Sequence, residues 1–520
     1  MKRKTSESSH PPDVDRLWRE YQATPVDPKV ERNIERAVRD LGASDDVVIR
    51  PVRYEQSEEA AAAVVYIDGL SDADVVNSYI FDMLNRSLYD VFRHEEAEER
   101  KIDMARLARE LLVGIGSIRS ATDMGSVYRH LLSGEAIIFI DGMDCAYRAD
   151  IRQWKGRDIT ESSNQTSVRG PRESFTETLR TNTSLIRRRI KDPRMRLETT
   201  AIGRRTRTDV TLVYLDGIAK PSVVAETRKR LRSIDIDSVL DSGYIEELIE
   251  DGRYSLFPTI YNTEKPDGVA SQLLEGKVAI LVDGTPSVLL VPAQFTTFLQ
   301  STEDYYQRAF YASLLRILRF GSLFISLLLP SLYIAITTFH RDMLPATLLF
   351  SLAAQREGVP FPAFVEALVM EVTFEILREA GLRMPKAIGQ AVSVVGTLVI
   401  GQAAVEAGIV SAAMVIVVSV TAISTFTIPS YSASIPIRIL RFAFMGAAAS
   451  FGLFGIAMGM FALLLHLCAL RSFGEPYMSP LSPFRASEME DTLIRMPRWL
   501  RFKRPGLSQG GGSVRLRIRR

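Results

Sequence analysis

Four glutamates, Glu366, Glu371, Glu375 and Glu379, sit in the strongly helical segment PFPAFVEALVMEVTFEILREAGLRM. At about 100° per residue the last three fall on one side of a helix, with Glu366 further round. The opposite face carries Phe364, Leu368, Val369 and Val372. Carboxylates so arranged attract cations, and their setting decides the consequence. One reading lays the helix on a membrane surface with its acidic side in water. The other turns that side toward an aqueous path between subunits, where rings of carboxylates favour cations. Gln390, Gln402 and Glu406 add polar groups in a nearby apolar stretch, read equally as helix–helix hydrogen bonding or as path lining.

Other candidates carry less chemistry. Asp68, Asp141, Asp216 and Asp283 each precede a glycine, and no second acidic position accompanies them at calcium-loop spacing, so they read as turn residues. The arginines of SLIRRRIKDPRMRLE lack interleaved stacking aromatics, which disfavours a nucleic-acid strip and favours a solvated or inter-subunit face. There is no GxxxxGK[ST], HExxH or GxSxG, and the histidines, His10, His94, His130, His340 and His466, are scattered. Cys145 and Cys468 cannot make a disulfide framework or a four-ligand zinc site. No enzyme, metal site or cofactor is expected.

The acidic segment belongs to a half of the chain that is nearly free of charge. Uncharged runs cover residues 320–339, 387–405, 407–437 and, with only His466 inside, 442–470. A spanning helix needs about 20 such residues, so this half reads as membrane-embedded. The stretch 343–355 is too short to span and suggests a re-entrant or interfacial segment. Arg308, Arg316 and Arg319 precede the first run, and the tail from Arg485 holds ten basic residues against three acidic. Both flanks therefore prefer the cytoplasm, which requires an even number of crossings. Four are expected, although Arg378, Arg383 and Lys386 pull the other way. A crossing by 343–378 makes five, or six if one run divides. Small residues suited to close helix packing are Gly389, Gly396 and Gly401 in one run, and Gly452, Gly455 and Gly459 in another.

The charged half repeats itself. SGEAIIFIDG (133–142) is echoed by EGKVAILVDG (275–284), and AAAAVVYIDGL (60–70) by TDVTLVYLDGI (208–218). Buried strands entering Asp-Gly turns, separated by helical stretches, predict two α/β subdomains made by duplication. The expected fold is an α/β cytoplasmic head of two repeated subdomains followed by an α-helical transmembrane domain. Its expected parts are a disordered tail 1–29, subdomains 30–155 and 201–318 joined by a basic linker 156–200, a membrane domain 319–475 with its re-entrant or interfacial segment at 343–380, and a basic cytoplasmic tail 476–520. The polar start, MKRKTSESSHPPD, has no apolar core, so no secretory signal is expected.

Long blocks of the sequence resemble the A-subunit family of GerA-type spore germinant receptors. They are VRGPRESFTETLRTNTSLIRRRIKDPRMRLE (168–198), QSTEDYYQR (300–308), the REGVPFPA…TFEILREAG…GQA core within 336–424, IRILRF (437–442) and HLCALRSFGEPYMSPLSP (466–483). The resemblance covers about residues 160–485. It implies an integral protein of the inner endospore membrane. The family's A subunit forms a homo-oligomer that works with a transporter-like B subunit and a lipoprotein C subunit, and nutrient binding releases monovalent cations. Membrane lipid is then a neighbour and nucleic acid is not. A non-conducting scaffold or relay, as in the sibling stage V sporulation protein AF, is the alternative. A secondary transporter is disfavoured, because the membrane half shows no inverted repeat.

Overall fold

The computed structural model describes residues 14–53, 60–82, 84, 118–152, 169–384 and 401–500. The chain divides into two compact units. One comprises Met1–Glu250, Ile260–Pro292 and Arg498–Arg520, the other Asp251–Thr259 and Ala293–Pro497.

In the first unit, helices α1 (Val14–Ala23) and α2 (Val30–Leu41) precede strands β1 (Val47–Arg53), β2 (Ala60–Ile67) and β3 (Ile118–Ala121). Helix α3 (Met124–Leu131) and strands β4 (Ala136–Ile140) and β5 (Ala146–Ala149) complete an antiparallel sheet of order β1-β2-β4-β5-β3. The pattern then recurs: α4 (Leu179–Arg189), β6 (Met195–Ile202), β7 (Thr208–Leu215), α5 (Pro221–Arg232), α6 (Ser242–Ile249), β8 (Tyr261–Thr263), α7 (Pro266–Leu274), β9 (Val278–Val282) and β10 (Val288–Val291). Its sheet order, β6-β7-β9-β10-β8, is the same. AAAAVVYI, AIIFI and VAILV form β2, β4 and β9, whose every residue is buried, so these are central strands covered on both faces.

Matching polar devices fix the two copies. Asp141 Oδ1 accepts from the first amide of α2, Val30 N, at 3.4 Å, and Asp283 Oδ1 from the first amide of α4, Leu179 N, at 3.0 Å. Asn33 Oδ1 accepts from Asp27 N (3.0 Å) while its amide donates to Asp27 O (2.6 Å). Asn182 does the same with Thr176, at 2.8 and 2.6 Å. The Asp-Gly glycines Gly69, Gly142, Gly217 and Gly284 all take positive φ, the backbone that a side chain resists. The aspartates stand in turns, as expected, and Asp141 and Asp283 in addition hold the first amides of helices.

Three boundaries differ from expectation. Residues 179–200 of the basic linker form α4 and most of β6, the opening elements of the second copy. Its arginines are neither solvated nor inter-subunit at the decisive position: Arg187 is 1% exposed. Arg187 Nε donates to Asp46 Oδ2 at 2.7 Å and its Nη2 to Asp46 Oδ1 (2.9 Å), Ser44 Oγ (3.1 Å) and Met195 O (3.0 Å), joining the two repeats. Within the expected disordered tail, residues 14–23 are helical, because Tyr21 packs edge-on against Tyr128 at 4.8 Å between ring centres. Residues 476–497 are not a free tail, because Asp491 pairs with the buried Arg316 (2.8 Å) and Arg495 donates to Gln307 O (2.7 Å).

The second unit is helical: α8 (Ala309–Thr338), α9 (Ala346–Arg356), α10 (Ala363–Arg383), a short helix Gly401–Glu406, α11 (Ala412–Phe426) and α12 (Tyr431–Ala469). Among the described residues, α8 and α12 are long and apolar enough to cross a membrane. Yet α12 is not one rod. Gly452 has φ 60° and ψ −141°, and a methyl group on Gly459 would lie 2.9 Å from Phe444 Cε1. Fifteen helical residues would separate those positions by about 22 Å. Residues 431–451 and 453–469 are therefore two limbs of a hairpin.

Pairings between helices give their directions. Along the first limb of α12, Tyr431, Arg438 and Arg441 meet Arg378, Glu375 and Glu371 of α10 in reverse order. Helix α10 thus runs lengthwise beside its neighbours, antiparallel to that limb, rather than lying across them as an interfacial segment. Ser411 at the head of α11 meets Glu366, and Thr425 near its end meets Arg441, so α11 runs parallel to α10. The run 387–405 lies mostly outside the described residues.

Candidate functional site

Inside this unit, α10 presents its charged side to the other helices and its apolar side outward. Val369 and Val372 are each 43% exposed and Ile376 is 63% exposed, whereas Glu366 and Glu371 are fully buried. The helix is turned over relative to the expectation of an acidic side in water. The cause is Arg441, which α12 projects into the same interior. Its Nη1 donates to Glu371 Oε2 at 2.6 Å, its Nη2 to Thr425 Oγ1 at 2.9 Å and its Nε to Ser326 O at 2.7 Å. One guanidinium therefore ties α8, α10, α11 and α12, using the fixed fork of donors that only arginine offers.

Helix α8 supplies its part through Pro330. Proline has no amide hydrogen, so the carbonyl four residues earlier loses its helical partner. That carbonyl belongs to Ser326, and Arg441 Nε takes the vacant place.

The other glutamates are partnered too. Glu366 Oε1 accepts from Ser411 N at 2.5 Å and from the Ser411 hydroxyl, while Arg356 stands 3.9 Å from its second oxygen. Glu375 lies 3.6 Å from Arg438 and 3.7 Å from Arg378. Three carboxylates thus face four guanidinium groups, and their pull on a free cation is cancelled locally. Even so, Glu366, Glu371 and Glu375 each keep one oxygen without a hydrogen-bond partner.

The remaining path candidates separate from this cluster. Glu379 is exposed and pairs with Arg383 at 2.7 Å. Gln402 and Glu406 are exposed on the short helix, joined by a 2.8 Å hydrogen bond. Gln390, Gly389 and Gly396 lie outside the described residues. Gly401 is buried, with Val415 Cγ1 3.7 Å from where a methyl group would stand. Gly455 permits the close return of the hairpin, since a methyl group there would collide with Ala447 O, and Gly452 makes the turn itself.

Periodicity and motif spacing single out none of Arg438, Arg441, Arg356, Ser411 and Pro330. The signal that could have found the first two lies in IRILRF, whose arginines interrupt apolar runs and so demand acidic partners nearby.

The family model described as "Bacillus/Clostridium GerA spore germination protein" matches residues 34–507. The chain belongs to the GerA family. Spore germination protein KA of Bacillus subtilis (strain 168) is 47% identical over 483 residues, 92% of this chain and 87% of that protein. Membrane protein YfkQ of the same organism is 44% identical over 494 residues, 95% of this chain and 94% of its own length. Spore germination protein GerLA of Bacillus cereus is 40% identical over 478 residues, covering 92% and 95%. A crystal structure of the N-terminal domain of the A subunit of the Bacillus megaterium germinant receptor GerK3 aligns with a TM-score of 0.40 and 38% identity, over 52% of this chain and 98% of that one.

Proposed function

We propose that this chain is the A subunit of a nutrient germinant receptor and that copies of it enclose a cation path across the inner membrane of the spore, alongside a transporter-like B subunit and a lipoprotein C subunit. One observation carries this reading: the helical unit is inside out, with charges paired within and large apolar side chains such as Phe324, Ile416, Ile423, Phe454 and Phe461 exposed without. That is the distribution a hydrocarbon solvent demands. Counting α8, α10, α11, the two limbs of α12 and the apolar run 387–405 gives six crossings, an even number that keeps both basic flanks in the cytoplasm. The buried glutamates hold the helices together. The path between copies is lined by the exposed Glu379, Gln402 and Glu406.

A second reading, a non-conducting relay, draws support from the pairing of Glu366 and Glu371 with partners in their own chain. Spores carrying Glu379→Gln or Glu406→Gln distinguish the two. A conduit predicts monovalent cation release slowed several-fold after nutrient addition, at unchanged protein level. Normal release from both variants leaves the relay.

A further inference from the structure

We infer that the groove between the two limbs of α12 is a binding site for one membrane phospholipid, with an acyl chain lying in the groove and an anionic headgroup at its polar end. The inference rests on the membrane reading above and adds a ligand to it.

The groove has a volume of about 370 Å³, and its walls include Leu440, Phe444 and Ala447 from the first limb, Ala462 and Leu463 from the second, and Phe257 from the segment 251–259. An apolar cavity of about 150 Å³ holds a benzene and stays free of water. This one is more than twice that size, and it follows two antiparallel helices from Leu440 to Ala447 and from Gly459 to His466. Each stretch is eight residues, about 11 Å long. A slender apolar chain matches that length and volume.

The polar end is built for a phosphate. His466 and Ser255 share a 2.8 Å hydrogen bond there. Gly252 packs against Leu470, with Leu470 Cδ1 2.8 Å from where a methyl group would stand. The next residue in each segment, Arg253 and Arg471, is a solvent-exposed arginine, so the chain brings two exposed arginines to that end, with Arg471 Nη1 3.5 Å from Gly474 O. Tyr254, which also lines the groove, is fully exposed, as befits an aromatic at the headgroup level. Beyond the groove, Phe461, Leu464 and Leu465 remain exposed, so the groove is continuous with the apolar outer surface of the hairpin.

The test uses the full chain reconstituted in vesicles of phosphatidylcholine and phosphatidylglycerol carrying a photoreactive acyl-chain phosphatidylglycerol. Labelled peptides are expected to concentrate, at least five-fold over other helices, in 254–257 and 440–466. Ala443→Phe and Ala462→Phe fill the groove from exposed positions and are expected to reduce this labelling to background at unchanged thermal stability. Arg253→Ala with Arg471→Ala is expected to reduce labelling by phosphatidylglycerol but not by a phosphatidylcholine probe. Uniform labelling of all helices, or labelling unaffected by the filling variants, overturns the site, and so does cross-linking of these peptides to another protein segment. Carbonate extraction of the same preparations separates the outcomes: a chain that leaves the membrane refutes the membrane reading, whereas one that stays but labels uniformly refutes only the groove.

Discussion

Pro330 and Arg441 meet through a single atom, the carbonyl oxygen of Ser326, which the proline leaves without a helical donor and the arginine occupies at 2.7 Å. A proline inside a helix costs about 3 kcal/mol or more, and the bond from Arg441 offsets part of that loss. The same guanidinium neutralises Glu371, so helix geometry and charge balance are settled by one side chain.

Removing one partner of a buried ion pair leaves the other charge uncompensated, at about 3–5 kcal/mol. Glu371→Gln is therefore expected to lower stability and membrane abundance of the chain, and Arg441→Met by a similar amount. The double variant is expected to recover most of the loss. Thermal unfolding of the detergent-solubilised protein, analysed as a double-mutant cycle, checks this. Additive losses would show that the pair is not coupled.

The duplication makes a paired prediction. Asn33→Ala and Asn182→Ala each delete three hydrogen bonds at buried positions, and both are expected to cost about 1–3 kcal/mol. Equivalent roles should give near-equal shifts in unfolding midpoint. A large effect from one and none from the other would deny the equivalence.

Arg187→Met should act on the joint between repeats. It leaves Asp46, 8% exposed, without its guanidinium, and a loss of about 3–5 kcal/mol is expected. Adding Asp46→Asn should restore much of it. Limited proteolysis between the repeats, faster in the single variant only, is the readout.

Glu246 on α6 gives the first unit a pH dependence. Burial, aided by Glu250, pushes its carboxyl from 4.5 up to about 7. Between these values the folded chain holds a proton that the unfolded chain has released, so this contribution is full below about pH 4.5 and lost as pH rises through 7. Glu246→Gln should flatten that part of the profile. An unchanged slope from pH 4.5 to 7 would assign it to other groups.

The hairpin can be read by labelling. In a chain with Cys145→Ser, the native Cys468 near the base of the second limb and an introduced Ser450→Cys near the turn are expected to react from opposite sides of a sealed membrane. Reaction from the same side would return α12 to a single crossing.

Much of this architecture was legible because short apolar strings ending in Asp-Gly can do little else than form central strands and turns. The second copy's opening was not, since α4 hides its core behind arginines: the burial of Arg187 depends on Asp46, 141 residues earlier in the chain. For the glutamates, periodicity assigned a face but not its direction. Which side turns inward is decided by Arg438 and Arg441, and no spacing rule links α10 to α12. Likewise the division of the last apolar run rests on one glycine among several in the same stretch.

The return of the chain at Gly452 has a mechanical consequence. It brings residues 471–497 back to where the helical unit begins, and there Asp491 accepts from Arg316 and Tyr305 while Arg495 grips the Gln307 carbonyl. Entry and exit of the unit are clasped together, so the start of α8 and the segment after α12 cannot part without breaking these bonds.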